Sequence, residues 1–146
     1  SLGFEDSLNP YEITPADLAC VLKGGAFVTE KNVFDRVVTN IQDGSIIGYK
    51  YYDFGDDFGS MTMEFSAKIL GMGCDAVMHI LIDGEDGEEI GCCRIGHDSS
   101  AIHTIVKSVT GRHAVFFKIT TEYVGWMGEM FRGRNLFELC SFVFLK

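Results

Sequence analysis

Trp126 is the only tryptophan of this 146-residue chain, and it stands with Tyr123 and Phe131 in the stretch Thr121–Arg134. Glycines and charges interrupt the aromatic residues there, which no core strand tolerates. Flat rings of this kind suit the C–H face of a pyranose, while amides or carboxylates nearby suit its hydroxyls. Asn135 and Glu138 follow directly and supply both types. A long aromatic loop between two strong strands is where a β-sandwich carries binding surface. A second reading stays open, in which the rings tuck under the loop as a satellite core.

Catalytic chemistry finds little to use. The histidines His79, His97, His103 and His113 are scattered, with no His-Glu-x-x-His pair. His79 and His113 fall inside strands and read as structural residues. His97-Asp98-Ser99-Ser100 sets three triad residue types side by side, whereas a triad converges from separate elements. No Gly-x-Ser-x-Gly occurs, and Gly24-Gly25 and Gly71-Met72-Gly73 lack the strand–helix setting of a phosphate loop. The acidic run Asp83–Glu89 lacks the spacing of a calcium loop and reads as a solvated turn. No catalytic residue, and no enzyme activity of the chain by itself, is expected.

Five cysteines, Cys20, Cys74, Cys92, Cys93 and Cys140, show no Cys-x-x-Cys spacing. Neighbours on a strand point to opposite faces, so Cys92 and Cys93 cannot easily bridge. The expectation is reduced, inert thiols serving as small buried hydrophobes, at home in a cytosol or an anaerobic extracellular setting.

Lys and Arg number 12 against 21 Asp and Glu, a net charge of −9 that repels nucleic acid and anionic membrane. Neither is expected as a partner. No apolar run reaches the roughly 18 residues of a membrane span. Ser1–Asp6 shows no basic region followed by an apolar stretch, so no signal peptide is expected at this start, although the chain can belong to a longer secreted protein. With 47% hydrophobic and 23% charged residues, the composition is that of one globular domain. Residues 1–10 read as a tether and 11–146 as that domain.

The elements that must position the loop are strands. Ser45–Asp53, Ser60–Ile69, Ala76–Asp83, Glu89–Ile95, Ile102–Val109, Arg112–Thr120 and Leu136–Leu145 all carry strand patterns. Met61, Met63, Phe65 and Ala67 alternate with Thr62, Glu64, Ser66 and Lys68. Asp83-Gly84-Glu85-Asp86-Gly87 has hairpin-turn chemistry. Pro15–Leu22 reads either as a short helix capped by Thr14 or as a first strand. Together these predict a two-sheet β-sandwich of about nine or ten strands. Phe65, Ile80, Ile82, Val115, Phe117, Phe142 and Phe144 should fill its core, and the Thr121–Arg134 loop should share a rim with the Thr39–Ser45 turn.

In chain order, Asn9-Pro10-Tyr11 with Ile13 and Ala16-Asp17-Leu18-Ala19 opens a familiar series. Val38-Thr39-Asn40-Ile41-Gln42-Asp43-Gly44-Ser45-Ile46-Ile47 follows, then Tyr49-Lys50-Tyr51-Tyr52-Asp53-Phe54-Gly55. Ile80-Leu81-Ile82-Asp83-Gly84 with Ile90-Gly91, Val109-Thr110-Gly111-Arg112-His113 and Leu136-Phe137-Glu138-Leu139-Cys140-Ser141-Phe142 complete it. Over residues 9–145 the sequence resembles family 6 carbohydrate-binding modules of the type that follow the catalytic domain of family 43 glycoside hydrolases. The resemblance implies a jelly-roll β-sandwich of two antiparallel sheets. It further implies a secreted, non-catalytic module that binds a plant polysaccharide such as xylan or a related β-glycan, or its oligosaccharides, for a covalently linked hydrolase; the free thiols add the expectation of an anaerobic source.

Departures from the family pattern shape the expected site. Many members clamp a sugar between an aromatic in the first turn and a Trp in a later loop, with an Asn near the C-terminus. Here the first position holds Asn40, the Trp loop is shortened to Gly96–Ala101, and Glu138 takes the Asn position. Trp126 is then the stacking face, helped by Tyr123 and Phe131, with Asn40, Asn135 and Glu138 as hydrogen-bonding groups. The alternative is a structural or docking sandwich that has lost sugar binding. The structural calcium usual in resembling proteins would need acids where Thr14, Ala16 and Cys140 stand, with Asp17 the one remnant, so no metal or other cofactor is expected.

Overall fold

The computed structural model describes residues 8–30, 36–55, 61–69, 76–95, 101–121 and 133–145. Long stretches of the sequence alternate apolar and polar residues, and a period of two turns one side of each stretch inward. The described strands are β1 (Thr14–Pro15), β2 (Val21–Lys23), β3 (Phe27–Glu30), β4 (Arg36–Thr39), β5 (Ile46–Asp53) and β6 (Met61–Ile69). They continue with β7 (Ala76–Ile82), β8 (Glu88–Ile95), β9 (Ala101–Val106), β10 (Arg112–Thr121) and β11 (Phe137–Leu145). One antiparallel sheet runs β2-β5-β10-β7-β8 and the other β3-β4-β11-β6-β9, with β1 added against β11. This is the all-β sandwich expected from the sequence, and Asp83–Gly87 turns the β7–β8 hairpin as its chemistry predicts.

The core between the sheets is aromatic. Tyr49, Tyr52, Phe54, Phe117, Phe137, Phe142 and Phe144 are all fully buried, with Ile80, Ile82 and Val115 among them. The side chain of Phe65, also expected there, lies outside the described residues. Two tyrosine hydroxyls enter the core with partners: Tyr49 donates to the Ala16 carbonyl at 2.8 Å and Tyr52 to Thr14 Oγ1 at 3.1 Å. These bonds satisfy groups that burial would otherwise penalise, and they fasten the N-terminal segment to the sandwich.

The N-terminal part differs from expectation. Eleven strands are present among the described residues, more than the nine or ten predicted, because β1 to β4 hold two to four residues each. Segments so short show no readable alternation. The helical reading of Pro15–Leu22 reduces to one 3-10 turn, Ala16–Leu18, and Thr14 caps nothing: it belongs to β1, and Pro15 precedes the turn without a side-chain cap bond.

The thiols also depart from the buried reading. Cys20 and Cys92 are exposed, Cys140 is partly buried and Cys93 packs on the core; Cys74 lies outside the described residues. Cys92 and Cys93 do take opposite sides of β8. Burial pushes the Cys93 thiol from its ordinary 9.0 up to about 12, with the Cys92 charge adding to it, and burial lifts Tyr52 from 10.0 to about 12. A raised acid keeps its proton in the folded chain where the unfolded chain would release it, so folding is favoured below the unfolded value and loses that contribution above it. The melting temperature should therefore hold up to about pH 9 and fall as pH rises toward 12. In Cys93→Ala the onset should move up to about pH 10, the tyrosine value, and thermal melts between pH 7 and 11 read it. An unmoved onset would remove Cys93 as the cause.

Candidate functional site

One rim of the sandwich is organised by the turn after β4. Asn40 sits there in the left-handed region at φ 58°, which asparagine tolerates better than most residues, and its Nδ2 donates to the Gly25 carbonyl at 2.8 Å. Ser45, fully buried, accepts the Gln42 N–H at 2.9 Å and donates to the Gly24 carbonyl at 2.9 Å. Gly44 N–H and Ser45 carbonyl then bond Ile119 of β10 at 2.7 and 3.0 Å. The turn is thus fixed on three sides before any ligand arrives.

Both described ends of the 122–132 segment reach this turn. At one end the Thr121 N–H donates to Asp43 Oδ1 at 2.8 Å. At the other, Asn135 Oδ1 accepts the Ile41 N–H at 2.9 Å, Asn135 Nδ2 donates to Thr39 Oγ1 at 2.7 Å, and the Leu136 N–H donates to the Ile41 carbonyl at 2.8 Å. The Thr39 hydroxyl in turn donates to Glu138 Oε2 at 2.8 Å. The rim expected from the sequence is the rim observed at these ends.

Trp126, Tyr123 and Phe131 lie outside the described residues. Of the other three expected residues, Asn135 and Glu138 meet at the Thr39 hydroxyl and Asn40 bonds the Gly25 carbonyl, and not all are groups turned toward solvent. Asn135 spends both ends of its amide on the turn, and Glu138 is only 4% exposed beside the Thr39 hydroxyl. Thr39 itself was not a candidate. Its role follows from strand register: Leu139 faces Val38 across β11 and β4, which sets Glu138 opposite Thr39. No residue type announces that in the sequence.

Elsewhere the titratable groups hold structure together. His79 lies between Glu89 Oε1 at 2.7 Å and Thr120 Oγ1 at 2.9 Å, on an outer groove of the five-stranded sheet. His113 Nε2 donates to the Thr110 carbonyl at 2.7 Å while Nδ1 meets the Asp83 carboxylate at 2.9 Å. No group of three or more metal-ligating side chains occurs among the described residues.

Thr14, Ala16, Asp17 and Cys140, where the resemblance would place calcium ligands, offer a hard cation few free oxygen donors. The Thr14 hydroxyl accepts from Tyr52 in the core, Ala16 offers no side-chain donor, and Asp17 faces Arg36 at 3.9 Å. Cys140 contributes a soft sulfur, which suits such a cation poorly. A chelator should leave the melting temperature within about 1 °C of its starting value, since a shift of that size is below what losing a bound ion causes. A drop of several degrees would reveal a calcium site built another way.

No protein-family profile matches the chain, and no curated protein matches it in sequence. Solved structures do match. A family 43 arabinoxylan arabinofuranohydrolase from Bacillus subtilis, in complex with cellotetraose, superposes with a TM-score of 0.76 at 24% identity over 97% of this chain. The chain spans 28% of the length of that enzyme. A family 6 carbohydrate-binding module from Clostridium cellulolyticum, in complex with xylose, gives 0.73 at 22% identity over 95% of this chain and all of its own. A β-1,3-glucan-binding family 6 module from Bacillus halodurans gives 0.77 at 17% identity over 97% of this chain and all of its own. The chain has the β-sandwich fold of family 6 carbohydrate-binding modules.

Proposed function

We propose that this chain is a non-catalytic carbohydrate-binding module that holds a covalently linked, secreted glycoside hydrolase on a plant cell-wall polysaccharide, xylan or a related β-glycan. The observation that carries the reading is the rim: the Thr39–Ser45 turn gathers both ends of the segment bearing Trp126, Tyr123 and Phe131, on a fold shared with sugar-binding modules. Trp126 supplies the stacking face and Asn40 an amide for the hydroxyls. Stacking contributes about 25 cal/mol per Å² of apolar area, without the desolvation that each hydroxyl contact carries. Affinity for an open site is therefore modest. A second reading, a structural or docking sandwich without sugar binding, draws on the internal bonds that already occupy Asn135 and Glu138.

Affinity electrophoresis in soluble xylan and in β-glucans separates the two. Wild-type protein should be retarded, and Trp126→Ala should abolish the retardation. If no plant β-glycan retards the wild-type chain, the docking reading replaces the binding one.

A further inference from the structure

We propose that Phe27 is a second aromatic face of this rim, set to stack on the apolar side of a neutral pyranose, with the Asn40 and Gln42 amides beside it. The inference rests on the carbohydrate-binding reading and adds a residue and a ligand preference to it. Phe27 opens β3, an edge strand of its sheet. The next residue, Val28, packs on the core, so the period of two turns the Phe27 ring outward. It is 50% exposed, whereas every other phenylalanine whose side chain is described is buried. Half of its surface is therefore open to contact.

Its neighbours are those that a sugar needs. Phe27 lies opposite Thr39 in the β3–β4 register, on the same face, and Thr39 bonds Glu138 on the following strand. At Gly25, two residues before Phe27, an added Cβ would meet Gln42 Nε2 at 3.0 Å and Asn40 Nδ2 at 3.2 Å. The absence of a side chain there is what lets both amides lie against the backbone. Asn40 uses its Nδ2 on the Gly25 carbonyl, which leaves its Oδ1 to accept from a hydroxyl. Asn40 also occupies the position where resembling modules carry an aromatic, and Phe27 restores a ring one strand away. The chain as a whole carries a net charge of −9. That field favours uncharged xylan or glucan over a polyuronate.

The test is affinity electrophoresis of the full chain in soluble xylan, mixed-linkage β-glucan and polygalacturonate, with Phe27→Ala, Phe27→Trp and Trp126→Ala. Phe27→Ala should weaken binding to a neutral glycan at least tenfold while its melting temperature stays near wild type, and Phe27→Trp should keep or tighten binding. If Trp126→Ala loses binding but Phe27→Ala binds like wild type, the Phe27 assignment is overturned and the carbohydrate reading stands. If Phe27→Trp loses binding as fully as Phe27→Ala, the ring is not a stacking face and the assignment is likewise overturned. Equal retardation by polygalacturonate overturns the neutral-ligand preference. No retardation of the wild-type chain by any of these polymers overturns both readings together.

Discussion

Phe142→Ala should destabilise the protein by about 3–5 kcal/mol, the range for deleting a fully buried phenylalanine whose surroundings relax only in part. Phe142 is 1% exposed and sits at the crossing of the two sheets. Its ring centre lies 4.8 Å from Tyr49 and 4.9 Å from Phe117, with interplanar angles of 68° and 89°. Edge-to-face pairs of this geometry add to the area term, so the upper half of the range is expected. Tyr49 and Phe117 belong to the opposite sheet, and they cannot close the gap without moving strands that are fixed by ladder hydrogen bonds. At roughly 2–4 °C per kcal/mol for a domain near this size, the melting temperature should fall by on the order of 10 °C. Phe117→Ala should cost a similar amount. Because the two rings touch, the double variant should cost less than the sum of the single ones. A loss below about 1 kcal/mol for Phe142→Ala in urea titration would mean that the inter-sheet packing is not as described.

The long strands were legible in the sequence because alternation over seven to ten residues cannot easily be imitated by another element. Ile80 and Ile82, or Val115 and Phe117, could be placed inward by that pattern alone. Two features were not legible. In β11 the inward residues change parity, from Phe137 and Leu139 to Phe142 and Phe144, because the register against β6 shifts between Leu139 and Ser141. In β5 the same happens between Tyr49 and Tyr52, opposite the shift between His113 and Val115 of β10. Such bulges leave no mark in residue type.

The site was legible as chemistry and not as geometry. Asn40, Asn135 and Glu138 are polar residues near an aromatic loop; Asn135 and Glu138 meet at the Thr39 hydroxyl, while Asn40 turns its amide to the Gly25 carbonyl. Which of them faces solvent depends on register and on who takes each amide hydrogen, and composition carries neither. Phe27 illustrates the converse. In the sequence it is one of twelve phenylalanines. Its half exposure emerges only once Val28 is seen to take the inward side of a four-residue strand.

Gly24→Ala should cost about 2–5 kcal/mol and weaken glycan binding with it. Gly24 has a φ of 70°, where a Cβ carries a conformational penalty of roughly 1–2 kcal/mol. The added carbon would also sit 2.7 Å from both the Gly44 carbonyl oxygen and Ser45 Cα. These are backbone atoms of a turn bonded to Ile119 on its far side, so they cannot retreat as a flexible side chain would. Overpacking of this kind adds about 1–3 kcal/mol. Gly44→Ala separates the two terms: Gly44 also has a positive φ, 86°, but its Cβ would meet nothing within 4 Å. That variant should show the conformational penalty alone, about 1–2 kcal/mol. The consequence for function follows from what the turn holds. Pushing Gly44 and Ser45 away from Gly24 disturbs the Ser45–Gly24 bond first, and then the Asp43 and Ile41 groups that receive Thr121 and Asn135. Binding should therefore fall in Gly24→Ala at temperatures where the chain is still folded, and stay near wild type in Gly44→Ala. Equal stability losses in the two variants would show that the close approach of Gly24 to the turn is relieved without strain. Unchanged binding in a destabilised Gly24→Ala would separate the sugar site from the turn that gathers the ends of the Trp126 segment.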